Sequence, residues 1–91
     1  ADSAVCLGDQ ALANASNTAA FGASSSALME GASALGYGAN ASKLSSTAIG
    51  ANAFSNQSSA TSIGSKSSAL GDNSLAAGAG AIGQGGRPDD G

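Results

Sequence analysis

The chain has no histidine and no tryptophan, and only one cysteine, one proline and one tyrosine among its 91 residues. Each shortage excludes something. Without histidine the commonest general base is missing, and no serine has a recognisable base at a motif spacing, so nucleophilic catalysis lacks its parts. No two of the carboxylates, Asp2, Asp9, Glu30, Asp72, Asp89 and Asp90, stand 14 residues apart, so the repeat register places no two together as an acid–base pair either. Cys6 alone can form no internal disulfide and anchors no cysteine-rich metal site. The only cations are Lys43, Lys66 and Arg87, within a net charge of −3. Three scattered cations do not neutralise a run of phosphates, so nucleic acid is not an expected partner. No apolar run approaches the roughly 18 residues of a membrane helix. The first residues, Ala1-Asp2-Ser3-Ala4, lack the basic and apolar regions of a signal peptide. These shortages describe a non-enzymatic chain with no expected metal, cofactor or membrane contact.

Large side chains are scarce as well. Hydrophobic residues make up 42% of the chain, but alanine dominates that figure. Val5, seven leucines, three isoleucines, Met29, Phe21 and Phe54 are the only side chains large enough to fill a core. Ordering the backbone costs on the order of 1–2 kcal/mol per residue, which so few large groups offset poorly in a conventional globule. A regular backbone lattice, or burial against partner chains, must supply the rest.

What is present is a repeat. Glycine recurs at Gly8, Gly22, Gly36, Gly50, Gly64 and Gly78, always 14 residues apart. The preceding column reads Leu7, Phe21, Leu35, Ile49, Ile63 and Ala77, and the one before that Cys6, Ala20, Ala34, Ala48, Ser62 and Ala76. Each unit has a weaker second half, offset by seven: Ser67-Ser68-Ala69-Leu70-Gly71 copies the ending, whereas Ala41-Ser42-Lys43 and Ser55-Asn56-Gln57 have lost the large residue. Large and small residues alternate with period 2, as in Val5-Cys6-Leu7 and Thr47-Ala48-Ile49, with turn formers between, which specifies strands rather than helix. A 14-residue unit winds once around a narrow two-sided coil, with strands of four or five residues. Six coils about 4.8 Å apart make a rod roughly 30 Å long. The expected architecture is therefore an all-β parallel solenoid over residues 1–85, with 86–91 as a non-repetitive tail. Leu7, Phe21, Leu35, Ile49 and Ile63 are expected to form its inward spine, so that aspartate at Ile49 would collapse the roll. The alanine column is expected to point outward, where its small size admits either a neighbouring chain or tight turn packing within one chain.

Ser45-Ser46-Thr47-Ala48-Ile49-Gly50-Ala51-Asn52-Ala53, with further copies at Ala60–Ser67 and Ala32–Ala39, resembles the head repeat of YadA-like trimeric autotransporter adhesins. The likeness covers about residues 3–85. It implies a left-handed parallel β-roll with two further copies alongside as a homotrimer, carried beyond a bacterial outer membrane. It also implies adhesion to host matrix proteins such as collagen, fibronectin or laminin. Thr or Ser often replaces the family's Val, Cys6 is unusual, and Ala77 breaks the large column. No neck, stalk or anchor pattern is present, so the likeness is to a head segment.

Other patterns are weaker. Gly78-Ala79-Gly80-Ala81-Ile82-Gly83 fits the dinucleotide-binding GxGxxG literally, but that motif requires a following helix. Asp72-Asn73 and Asp89-Asp90 do not recur coil by coil as calcium ligands would. Asn14, Asn40 and Asn56 each begin an N-x-S sequon and read as exposed turn residues. An ice-binding solenoid needs ranks of threonine, and only Thr47 and Thr61, not Thr18, share a column. A phage or secreted fibre segment is the remaining alternative. For ligand contact the expected residues are the turn side chains Tyr37, Lys43 and Lys66.

Overall fold

The computed structural model describes residues 4–83 and the backbone of Pro88–Asp89. The chain alternates between longer and shorter strands. In order these are β1 (Val5–Leu7), β2 (Leu12–Ala13), β3 (Ala19–Phe21), β4 (Ser26–Ala27), β5 (Ser33–Leu35), β6 (Asn40–Ala41) and β7 (Thr47–Ile49). They continue as β8 (Phe54–Ser55), β9 (Thr61–Ile63), β10 (Ser68–Ala69), β11 (Leu75–Ala77), β12 (Ile82–Gly83) and β13 (Pro88–Asp89). Odd-numbered strands form a seven-stranded sheet and even-numbered ones a six-stranded sheet, each laid down in chain order. Every pairing is parallel. Val5 lies opposite Ala19, Ala34 opposite Ala48 and Ile49 opposite Ile63, so each coil sits 14 residues beyond the last. The result is a two-sided parallel β-solenoid measuring 32 × 20 × 12 Å, close to the expected length. Its strands are only two or three residues long, shorter than expected, because the turns take three residues of every seven.

The inward direction is the reverse of the expected one. Ala20, Ala34, Ala48 and Ala76 are 0% exposed and Ser62 is buried with them, whereas Leu7 is 56%, Leu35 38%, Ile49 37% and Ile63 41% exposed. Phe21 is half-buried. The column Leu7, Phe21, Leu35, Ile49 and Ile63 therefore lies on the outer surface of the seven-stranded sheet, and the alanine column fills the inside. The physical reason is room. Two sheets closed by three-residue turns leave an interior no wider than facing methyl or hydroxymethyl groups, and the bulkiest side chains enclosed are those of threonine and serine.

A seven-residue rule governs that interior. Counting by sevens from Ala4 gives Ala11, Thr18, Ser25, Ala32, Ala39, Ser46, Ala53, Ala60, Ser67, Ser74 and Ala81. Counting from Cys6 gives Ala13, Ala20, Ala27, Ala34, Ala41, Ala48, Ser55, Ser62, Ala69, Ala76 and Gly83. Every one is small, and from Thr18 onward every member of both series is buried. Buried hydroxyls need partners, and they find them: Thr18, Ser25, Ser46 and Ser67 each donate to the carbonyl three residues back, at 2.8–2.9 Å. Ser55 Oγ donates to Thr47 O at 2.7 Å, and the Ser62 and Ser67 hydroxyls pair at 2.6 Å.

The turns repeat on the same count. Gln10, Asn17, Ser24, Gly31, Gly38, Ser45, Asn52, Ser59, Lys66, Asn73 and Gly80 all have positive φ, between 56° and 76°. The register glycines differ. At Gly50, φ is 124° and an added Cβ would lie 2.7 Å from the carbonyl carbon and oxygen of Gly64 in the next coil. Both backbone conformation and coil-to-coil contact therefore demand glycine there.

The expected boundary between residues 85 and 86 lies outside the described residues. Beyond it, β13 pairs with β11, with Pro88 opposite Leu75 and Asp89 opposite Ala76. This spacing is 13 residues rather than 14, so the sheet continues past that boundary in a changed register.

Candidate interaction surfaces

A thin roll with its small residues inside must place every large side chain on a surface, and its topology divides that surface into four. The seven-stranded sheet presents two outward columns. One is the apolar column from Leu7 to Ile63; the other holds Val5, Ala19, Ser33, Thr47, Thr61 and Leu75. The six-stranded sheet presents Leu12, Ser26, Asn40, Phe54, Ser68 and Ile82 beside Asn14, Leu28, Ser42, Asn56 and Leu70. Between the sheets run two edges of stacked turns. One contains 8–10, 22–24, 36–38, 50–52, 64–66 and 78–80, and the other 15–17, 29–31, 43–45, 57–59 and 71–73.

Charge sorts cleanly among these. Within residues 4–83, Asp9, Glu30, Lys43, Lys66 and Asp72 all sit on turns, so over that range both sheet faces are uncharged. Tyr37 is 61% exposed and shares an edge with Lys66, two coils away. Lys43 lies on the opposite edge, between Met29 in the coil before and Gln57 in the coil after. The three expected ligand-contact residues are thus all exposed, but the fold does not gather them into one site.

The remaining motifs resolve by position. Gly78–Gly80 is a turn and Ile82–Gly83 is strand β12, so the glycines of the GxGxxG pattern belong to the solenoid repeat rather than to a strand-to-helix turn. Thr18 is 2% exposed, which removes it from any outer threonine rank and leaves only the neighbours Thr47 and Thr61. None of the sequon asparagines sits on a turn as expected, and only Asn14, just after β2, is exposed. Asn40 lies within β6 and Asn56 just after β8, both half-buried on the outside of the six-stranded sheet. Ser42 Oγ donates to Asn56 Oδ1 at 3.0 Å across the coils. Asn40 Oδ1 is buried with no hydrogen-bond partner. Cys6 occupies the alanine column of the first described coil, exposed, with Sγ 2.7 Å from Ala11 O.

The face of the six-stranded sheet was missed by residue-by-residue reading. The signal for it was present: the two seven-residue rows of small residues fix the inward positions, and every residue between them faces out.

Fold and surface together define a class: a parallel β-solenoid of 14-residue coils with an extended apolar outer column. The YadA head domain repeat matches the chain twice, over residues 27–53 and 56–84, more than half of its length, and the chain belongs to that family. No curated protein and no solved structure matches it.

Proposed function

We propose that the chain is a head segment of a trimeric autotransporter adhesin, a left-handed roll standing beside two copies of itself on a bacterial surface. The observation that carries this reading is the outward apolar column Leu7, Phe21, Leu35, Ile49 and Ile63. Stacked in register, these side chains form a continuous stripe along the rod, and such stripes mark interaction sites. The inside cannot compensate, since among the described residues it buries only alanine and hydroxyl side chains. A lone chain therefore leaves its best hydrophobic material in water. Packing three copies through the stripe removes it, at about 25 cal/mol per Å² of apolar surface covered.

Trimerisation also supplies the mode of action. Three identical ligand-binding surfaces on one rod raise avidity without strong individual contacts, which suits adhesion to host matrix proteins such as collagen, fibronectin or laminin. Sedimentation equilibrium over a range of concentrations tests the assembly. The expected mass is about 25 kDa, three times the chain's 8.4 kDa. A folded monomer at every concentration overturns it. Binding of the trimer to immobilised collagen, fibronectin and laminin tests the matrix ligand separately, and a trimer that binds none of them leaves assembly standing while sinking that ligand class.

A further inference from the structure

We propose that the outer face of the six-stranded sheet binds an uncharged polysaccharide laid along the rod. The inference rests on the trimer proposed above, because covering the apolar stripe of the other sheet leaves this face to a partner of different chemistry.

That chemistry is legible in two neighbouring rows. Ser26, Asn40, Phe54 and Ser68 lie side by side in register, with Ser42 and Asn56 parallel to them on the same face. Amides and hydroxyls border one half-buried aromatic ring, with Leu28 and Leu70 flanking Ser42 and Asn56 in the second row, and no charge lies among them. A sugar ring presents the complement: an apolar face of C–H groups to stack on Phe54, and a rim of hydroxyls that both donate and accept. Asn40 supplies an independent indication. Its Oδ1 is an acceptor with no donor in the fold, and a turn about the broad outer torsion of the side chain brings it to the surface. There a sugar hydroxyl donates to it. Spacing agrees as well, since coils about 4.8 Å apart offer roughly one set of contacts per ring of a β-linked pyranose chain. A charged glycan or a nucleic acid would find its counter-charges only on the turns. An uncharged extended peptide is the competing occupant.

The test titrates the full chain, as the trimer, with six-ring oligomers of β-1,4-linked glucose and of β-1,4-linked N-acetylglucosamine by calorimetry. Binding of at least one oligomer is expected, with affinity unchanged within about twofold between roughly 0.05 and 0.5 M salt. Phe54→Ala and Asn40→Ala are expected to weaken it about tenfold or more, whereas Lys43→Ala and Lys66→Ala leave it unchanged. Asn40→Ala removes an unmet buried acceptor, so its thermal midpoint should not fall, which separates lost binding from lost folding. Ser68→Glu, which sets a charge in the row, should abolish binding with the trimer mass intact. Failure of both oligomers to bind a verified trimer overturns the proposal and leaves the assembly standing; a monomeric mass instead removes the assembly on which the proposal rests, and the proposal with it. Loss of affinity with salt or in the lysine variants overturns it as well. So does an uncharged peptide that binds this face when neither oligomer does.

Discussion

Aspartate at position 48 is expected to abolish folding, and aspartate one residue later to abolish assembly while leaving a defect that higher protein concentration repairs. The two positions are neighbours on β7, yet they face opposite ways. Ala48 is 0% exposed, in the inward column of the seven-stranded sheet. A carboxylate there has neither room nor a cation, since all described cations lie on turns. Burying it unpaired costs several kcal/mol, a large share of the roughly 5–15 kcal/mol that holds a domain together. Far-ultraviolet circular dichroism should show Ala48→Asp unfolded at every concentration. At Ile49 the carboxylate stays in water in the single chain, so the coil itself tolerates it. What it removes is the burial of a large apolar side chain in each copy, about 1.5–3 kcal/mol apiece, and it sets charge into a surface that must become dry. Sedimentation should show Ile49→Asp dissociated where the unaltered chain is trimeric, with the mass recovering as concentration rises. If Ile49→Asp unfolds irrecoverably and Ala48→Asp does not, the two faces have been assigned the wrong way round.

The 14-residue coil, the parallel register and the approximate length of the rod were all legible in the glycine spacing. Direction was not. Period-2 alternation shows which residues share a face, but it does not show which face is inside. The ordinary preference for burying large side chains then points Ile49 inward, and it fails here because a roll 12 Å thick has no cavity for isoleucine. A better guide lay in the half-coils. The large column decays to Ser42 and Asn56 in the six-stranded sheet, a substitution that a packed interior rejects and a surface accepts. The small column never decays: Ala41, Ser55 and Ala69 are as small as Ala34, Ser62 and Ala76. Constancy of size, rather than size itself, marks the core of a solenoid this narrow. The surface was harder to read for a related reason. Tyr37 and the lysines attract notice as the distinctive side chains, whereas the Asn40–Phe54 row emerges only when residues 14 apart are set beside one another.

Replacing Gly50 with alanine is the second change expected to break the roll, and Gly80 provides its control. The two glycines look alike in sequence and both have positive φ, but they meet different surroundings. At Gly50 the φ of 124° lies in a region that L side chains rarely adopt, and such backbone strain costs on the order of 1–3 kcal/mol. The added methyl would also stand 2.7 Å from the Gly64 carbonyl, which is backbone and cannot swing aside. Relief requires the two coils to part, and the backbone hydrogen bond from Gly64 N to Ile49 O, at 2.8 Å, runs between those same coils. Strain, overlap and a lengthened ladder act together, so a fall in thermal midpoint of tens of degrees is expected from this single methyl group. At Gly80 the φ is 72° and nothing lies within 4 Å of an added Cβ. Asn17, Asn52 and Asn73 already occupy the equivalent turn position with φ near 60°. Gly80→Asn should therefore shift the midpoint by no more than a few degrees. A mild Gly50→Ala would mean that the stacking of glycine on glycine is looser than these distances require, and the coil-to-coil contact would lose its place as the reason for the 14-residue glycine column.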